Sequence, residues 1–358
     1  MVLTLSLWAT LGCSGGEEDS SDLPWGPFGD SGWNEDSTTD TGSGTVGLDS
    51  SLLAPPANLW QAASFTLPPD RGWAWEYDAS FSIDQRSRPQ LYIRNDGVYV
   101  MIVGLASEGK SRFAMTSDNG DAWDRSTIPF VEPELFAPLN CGSQLDDAFV
   151  AYQTDGTYAM VVEGAYDPEL DGDPEWRQWC RATSDDGETF WPDVDGYVFS
   201  GGEADGGHPA DAGTVQLSDY SVLAYYDSRA TDNAGGVRAA LSGVSAASFE
   251  TLDVGDVLNA PAVEATPVYL EGGGLRVYYT RNDDGGIGVA DLLDGVNPSG
   301  DALALANAGA DCSALYAECY RDPVVLRLPD DRLVLYFTRV MLENDGYSYA
   351  IQRAWATD

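Results

Sequence analysis

Ionisable residues stand just ahead of five short apolar runs. Arg88 precedes Pro-Gln-Leu-Tyr-Ile, Asp146 and Asp147 precede Ala-Phe-Val-Ala-Tyr, and Asp211 precedes Gly-Thr-Val-Gln-Leu. Glu264 precedes Pro-Val-Tyr-Leu, and Arg321 with Asp322 precedes Pro-Val-Val-Leu. If these runs lie side by side, the carboxylates of Asp147, Asp211, Glu264 and Asp322 gather at one place. Such a cluster suits the hydrolysis of a glycosidic bond. One carboxyl group must stay protonated as the acid, and another must be ionised as base or nucleophile. Repulsion between neighbouring carboxylates drives their pKa values apart and supplies both states. Arg88 and Arg321 are placed to orient the hydroxyls or carboxylate of a substrate. His208, the only histidine, lies in Gly206-Gly207-His208-Pro209-Ala210-Asp211. It reads either as a loop residue making an ordinary hydrogen bond or as a substrate contact.

The elements that must position these residues form a repeat. The apolar runs begin near Pro89, Ala148, Gly213, Pro267 and Pro323, at steps of 54 to 65 residues. Each is followed by a second strand-like run: Val98–Val103, Thr157–Glu163, Ser221–Asp227, Leu275–Thr280 and Leu333–Thr338. Three of these end alike, in Tyr225-Tyr226-Asp227-Ser228-Arg229, Tyr278-Tyr279-Thr280-Arg281 and Tyr336-Phe337-Thr338-Arg339. The Tyr-rich second strands read as core between blades. A four-stranded unit repeating at this period predicts an all-β chain, a five-bladed β-propeller over residues 56–358. Its inner strands would line an axis, with their first residues crowding one mouth. The last repeat ends after its third strand, Tyr347–Trp355, and a missing outer strand is expected from around Ala63–Leu67. A six-bladed ring is the alternative, but residues 56–87 are too few to supply most of a further blade.

Two stretches have the form Thr-x-Asp-x-Gly-x-small-aromatic: Thr116-Ser117-Asp118-Asn119-Gly120-Asp121-Ala122-Trp123 and Thr183-Ser184-Asp185-Asp186-Gly187-Glu188-Thr189-Phe190. Each reads as a tight hairpin, with the Asp accepting backbone N–H bonds and the Gly adopting a left-handed angle. Ser242–Phe249 looks like a third copy that has lost its Asp and Gly. The spacing resembles the Asp-box of sialidases and other BNR-repeat β-propellers, which implies the fold and places these turns at the blade periphery.

The ring of charged residues resembles the five-bladed glycosidases of the arabinanase/xylosidase and fructosidase groups. Arg321-Asp322-Pro323 is similar to the Arg-Asp-Pro motif of the fructosidase group. That resemblance implies that Asp322 stabilises the transition state or holds substrate hydroxyls. It makes Asp147 and Glu264 the base-or-nucleophile and acid candidates. Arg88 departs from it, standing where those families place an Asp. A sialidase would need three arginines, drawn from Arg88, Arg321 and either Arg281 or Arg339, but Ser87-Arg88-Pro89 lacks the spacer of the Arg-Ile-Pro motif. The expected function is a propeller that binds or hydrolyses a glycan at its mouth. The alternative is a non-catalytic binding or scaffold module.

The chain has 358 residues, with 58 acidic against 18 basic side chains and a formal net charge of −40. That charge excludes nucleic acid and anionic membrane surfaces as partners. A carbohydrate ligand and a monomer are expected. Residues 1–13 form a short apolar run ending Leu11-Gly12-Cys13-Ser14, which resembles a bacterial lipoprotein signal with Cys13 lipidated. Residues 14–55 are acidic and Ser/Thr/Gly-rich, the composition of a disordered tether. This layout is that of a cell-envelope protein, an outer-membrane lipoprotein or a secreted one, touching membrane only through its anchor. The other four cysteines suggest two disulfides, Cys141–Cys180 and Cys312–Cys319. No cofactor is expected, although Asp167-Pro168-Glu169-Leu170-Asp171-Gly172-Asp173 carries oxygen ligands that would suit Ca²⁺ if it is more than a solvated loop. Trp176, Trp179 and Trp191 read either as a sugar-stacking platform or as packing beneath a long loop.

Overall fold

The computed structural model describes residues 48–105, 108–131, 133–136, 141, 144–165, 177–200, 209–228, 236–259, 261–307, 319–343 and 346–358. Five antiparallel sheets form the blades of a propeller. Blade 1 comprises Arg86–Ile93, Tyr99–Leu105, Glu108–Ser117 and Asp124–Val131. Blade 2 comprises Gln144–Tyr152, Tyr158–Ala165, Arg177–Ser184 and Trp191–Phe199. Blade 3 comprises Pro209–Gln216, Val222–Ser228, Val237–Ser242 and Phe249–Thr251. Blade 4 comprises Ala262–Leu270, Leu275–Arg281, Ile287–Leu292 and Ser299–Leu305. Blade 5 has Cys319–Arg327, Leu333–Glu343 and Gly346–Ala356. Its outer strand is Trp75–Tyr77, which pairs with Ala354–Ala356.

Both faces of a middle strand are covered by other blades, so these strands are continuously apolar rather than alternating. Every residue of Val222–Ser228 is buried. The tyrosines in this buried material must place their hydroxyls, and four of them do so across blade seams. Tyr336 of blade 5 donates to the Gly120 carbonyl of blade 1 at 2.7 Å. Tyr92 of blade 1 donates to Gly187 of blade 2 at 2.5 Å. Tyr225 of blade 3 donates to Gly295 of blade 4 at 2.7 Å, and Tyr278 of blade 4 donates to Gly72, ahead of the closing strand, at 2.7 Å. All four acceptors are glycines at positive φ, between 73° and 83°. The two Asp-box-like turns are thus the hairpins between third and outer strands, and each is locked to the preceding blade.

Within those turns the acceptor is one residue later than expected. Asn119 Oδ1 takes the N–H groups of Asp121 and Ala122, and Asp186 Oδ1 takes those of Glu188 and Thr189. Ser117 Oγ and Ser184 Oγ accept from the Gly120 and Gly187 N–H groups. Asp118 and Asp185 stand two residues ahead of the Gly120 and Gly187 N–H groups, which the serines already take.

The N-terminal part of the fold departs from expectation. Residues 48–55 do not behave as tether: Leu53 is buried, with Leu48 and Leu52, in the core between blades 3 and 4. Thr66–Leu67 does not close blade 5. It runs parallel to the inner strand of blade 4, pairing with Tyr269 and Leu270. Ahead of it lies the 3-10 turn Trp60–Phe65. Phe65 and Leu59 line a cavity with Leu91, Val150, Thr214 and Val268, drawn from four inner strands. Leu59 and Phe65 thus lie against the inner strands, whose beginnings form a separate mouth.

Cys141 and Cys180 form the expected disulfide. It fixes the segment before blade 2 against that blade, where a Cβ on Gly164 would lie 1.6 Å from the Cys141 carbonyl oxygen. Cys319 is buried, with no disulfide partner among the described residues. Cys312, its expected partner, lies outside the described residues. So do Cys13, His208, Trp176 and the acidic loop Asp167–Asp173. Trp179 is no sugar platform: it is buried among Phe149, Phe199, Tyr226 and Phe249. Trp191 is exposed on the outer strand of blade 2.

Candidate functional site

Each inner strand begins before the apolar run that marks it, because a bulge interrupts its pairing with the second strand. Pairing skips two residues in every blade: Arg88-Pro89, Asp146-Asp147, Asp211-Ala212, Glu264-Ala265 and Asp322-Pro323. A bulge leaves its extra residues unpaired and re-aims their side chains. Four of the five first residues adopt left-handed angles: Arg88 at φ 53°, Asp211 at 49°, Glu264 at 55° and Asp322 at 51°. For non-glycine residues this costs about 1–2 kcal/mol each, a strain that clusters at functional sites.

The unpaired bulge N–H groups are satisfied across the seams. Asp211 N–H donates to Glu163 Oε2 of blade 2 at 2.8 Å, and Glu264 N–H donates to Asp227 Oδ1 of blade 3 at 2.8 Å. Asp322 N–H donates to Glu264 Oε2 of blade 4 at 3.2 Å, and Arg88 N–H donates to Thr338 Oγ1 of blade 5 at 2.8 Å. Thus blades hold one another's charged bulges in place around the mouth.

In blade 2 the series runs through Asp146. Asp146 occupies the place of Arg88, Asp211, Glu264 and Asp322, whereas Asp147 matches Pro89, Ala212, Ala265 and Pro323. Two adjacent aspartates look alike in sequence, and only the pairing register separates them. Asp147 still belongs to the cluster: it is buried, and Arg112 Nη2 lies 3.4 Å from its Oδ1.

Two charge groups result. The first joins Arg88, Arg112 and Arg177 to Asp146, Asp147, Glu163 and Asp211. Arg112 Nη2 is 3.0 Å and Arg177 Nη1 2.9 Å from the Asp146 carboxylate, which also pairs with Arg88. Arg177 pairs with Glu163, and Arg88 Nη2 lies 3.8 Å from Asp211 Oδ1. Oxygens of Asp146, Glu163 and Asp211 lie within 4.8 Å of one another, a spacing that would suit a cation. The guanidinium groups of Arg88 and Arg177 already pair with them. The second group is Glu264, Asp322 and Arg321. Arg321 Nη2 is 2.8 Å from Glu264 Oε1, and Thr280 Oγ1 donates to Glu264 Oε2 at 2.6 Å.

Burial, then the charge of Glu264, pushes the Asp322 carboxyl up to about 7, against the pull of Arg88, Arg321 and a hydrogen bond to Thr338. Burial also pushes Asp147 well above the carboxylate range, although Arg88 opposes it. Burial brings Arg112 down to about 10. Partial burial works against the Arg88 charge, but Asp211, Asp147 and Asp322 outweigh that effect and raise its pKa.

The structure therefore gathers Arg88, Asp147, Asp211, Glu264, Arg321 and Asp322 at one mouth. Sequence reasoning missed Glu163, Arg112 and Arg177, which come from second and third strands, and left Asp146 unassigned. Asp227, Thr280 and Thr338 had a visible signal, since they share one position in the Tyr-rich strand endings.

No protein-family model and no curated protein matches the sequence. Solved structures match its fold. Zg3597, a family 117 glycoside hydrolase produced by Zobellia galactanivorans, is 16% identical with a TM-score of 0.57, covering 80% of this chain and 92% of its own. A candidate glycoside hydrolase from Bacteroides ovatus ATCC 8483 is 14% identical with a TM-score of 0.52, covering 84% and 95%. A third structure, described as a glycoside hydrolase, is 11% identical with a TM-score of 0.52, covering 84% and 92%. At these identities the likeness is one of fold: the chain is a five-bladed β-propeller, and its structural neighbours include glycoside hydrolases.

Proposed function

We propose that this propeller hydrolyses a glycosidic bond at the mouth formed by the five bulges. The observation that carries the reading is the adjacency of Glu264 and Asp322, the N–H of Asp322 lying 3.2 Å from Glu264 Oε2. Asp322 is pushed up to about 7 and can hold a proton at neutral pH. Glu264 accepts from Arg321, Thr280 and the Asp322 N–H. Asp322 donates its proton to the glycosidic oxygen as the bond to the anomeric carbon breaks, and the Glu264 carboxylate serves the incoming nucleophile. These roles differ from the family resemblance, which makes Asp322 the stabiliser, Glu264 the acid candidate and Asp147 the base or nucleophile. Glycoside hydrolases among the structural neighbours support the substrate class.

The test is a screen of aryl glycosides of arabinose, xylose, fructose and sialic acid, with Glu264→Gln and Asp322→Asn as controls. Either substitution should reduce turnover by roughly 10²–10⁴-fold. Turnover that survives both removes the pair from the mechanism.

A second reading, a non-catalytic glycan-binding module, is favoured by the burial of Asp147, Asp211, Glu264 and Asp322. On that reading the wild type binds sugar without turnover. We also infer that the protein lies outside the cytoplasm, which the Cys141–Cys180 disulfide supports, and that Cys13 is lipidated, which rests on the sequence alone. Incorporation of labelled palmitate, lost in Cys13→Ser, is its test.

A further inference from the structure

Asp146 meets three guanidinium groups. Arg112 Nη2 approaches its Oδ1 at 3.0 Å, Arg177 Nη1 approaches its Oδ2 at 2.9 Å, and Arg88 Nη1 pairs with Oδ1. Such convergence is how proteins hold a bound carboxylate. Each arginine also has a second acidic partner: Arg88 has Asp211, Arg112 has Asp147 and Arg177 has Glu163. Those partners stay when Asp146 is removed, so the three cations remain anchored. Asp211 and Glu163 are nearly inaccessible, with side chains 2% exposed, whereas Asp146 is 21% exposed and Arg88 28%. The shared carboxylate is thus the one that faces the mouth. Arg112 Nε is buried without a hydrogen-bond partner among the described residues, so the cluster retains an unused donor.

We propose that Arg88, Arg112 and Arg177 form a carboxylate-binding pocket that Asp146 occupies from within, so that Asp146 keeps acidic sugars out of the mouth and restricts it to uncharged ones. The choice among sugars rests on the glycosidase reading, but the occupied anion pocket does not. In the wild type an incoming carboxylate would face the Asp146 charge and find the guanidinium donors taken. Without the Asp146 carboxyl group, the same donors face the mouth unfilled, and a ligand carboxylate can replace it.

The test is calorimetric titration of acetate and of D-glucuronate into the wild type, Asp146→Ala and Asp146→Asn. Acetate contains no sugar, so its binding reports the pocket whether or not the protein acts on glycans. The alanine variant should bind both anions at least tenfold more tightly than the wild type, and added Arg177→Gln should abolish the gain. The asparagine variant keeps the side-chain volume and removes the charge, and it should show a smaller gain. It carries the test if the alanine variant does not fold. Wild-type protein that binds acetate or glucuronate as tightly as the variants overturns the proposal. So does a folded variant, of either kind, that gains no anion binding. A gain with acetate and glucuronate in a protein that acts on no neutral glycoside leaves the pocket standing and removes the glycosidase reading.

Discussion

The N–H of Asp322 donates to Glu264 Oε2 at 3.2 Å, across the seam between blades 4 and 5. The carboxylate of one bulge therefore fixes the backbone of the next, and its charge helps to keep the Asp322 carboxyl protonated. Glu264→Gln removes that charge but leaves the burial, which is the larger cause of the shift. The Asp322 midpoint, followed by carboxyl carbon NMR, should fall from about 7 but remain above 3.8. A midpoint that holds or rises would show that the two carboxyls are not coupled. If Asp322 is the acid, wild-type turnover falls as pH rises through about 7.

The same shift makes stability depend on pH. The folded-state pKa of Asp322 lies above its ordinary value of 3.8, so the folded protein binds more protons than the unfolded chain between the two. That contribution is complete below 3.8 and is lost as pH rises through about 7. Asp147 is displaced in the same direction and adds to the trend. Urea midpoints should therefore fall between pH 5 and pH 8. Asp322→Asn, which cannot ionise, should flatten the decline, by a few kcal/mol at most, since each pKa unit corresponds to about 1.4 kcal/mol. An unchanged slope in Asp322→Asn would place the pH dependence elsewhere.

How much of this was legible in the sequence follows from which forces act locally. The second strands were readable to within a few residues, because burial on both faces demands an unbroken apolar run. Leu275–Thr280 was expected and Leu275–Arg281 is found. The inner strands were read three to five residues late, because a charged bulge interrupts each of them. The closing strand was misplaced because Trp75–Tyr77 is only three residues long, and Thr66–Leu67 offers an equally apolar pair. The carboxylates of the mouth were visible because the repeat brings them to one position. Arg112, Arg177 and Glu163 were not, since they reach the mouth through strand register, which no local pattern records.

The tyrosine locks are buried, so each lost hydroxyl should register in stability. Tyr336→Phe removes the donor to the Gly120 carbonyl and the acceptor of Trp123 Nε1–H at 3.1 Å, leaving buried polar groups unpaired. The expected cost is about 1–3 kcal/mol. Gly120→Ala should cost more than a simple helix or strand substitution, because φ is 74° and the new Cβ would lie 2.6 Å from a Leu326 methyl carbon. Thermal melting of both variants is the measurement, and a Tyr336→Phe protein as stable as wild type would discount the lock.

Breaking the Cys141–Cys180 bridge frees a loop with a sequence separation of 39 residues. The entropy regained by the unfolded chain corresponds to roughly 3–4 kcal/mol. Cys180→Ser should lower the denaturation midpoint accordingly, and reductant should lower the wild type but not the variant. Equal midpoints for wild type with and without reductant would show the bridge to be energetically idle.

The closure of the ring makes a final prediction. Trp75–Tyr77 is held on blade 5 by three residue pairs, too few to resist fraying alone. The Asp358 carboxylate adds to them: it accepts the N–H groups of Gly72, Trp73 and Ala74 at 2.7, 2.9 and 3.2 Å. Arg276, fully buried, holds the preceding segment from blade 4 by bonding the carbonyls of Pro69 and Arg71 and lying 4.1 Å over the Trp73 ring. The closing strand is thus fastened from both of the blades it must join. Asp358→Ala should cost roughly 1–2 kcal/mol, since its bonds are charge-assisted but partly solvated. The loss should appear as faster amide exchange at Trp75 and Tyr77 before any change elsewhere. Arg276→Ala should open the same strand and also destabilise blade 4, because it leaves Asp291, 2.7 Å from Arg276 Nε, without that partner. Exchange that accelerates evenly across all five blades would mean that closure is not the weakest seam of the ring.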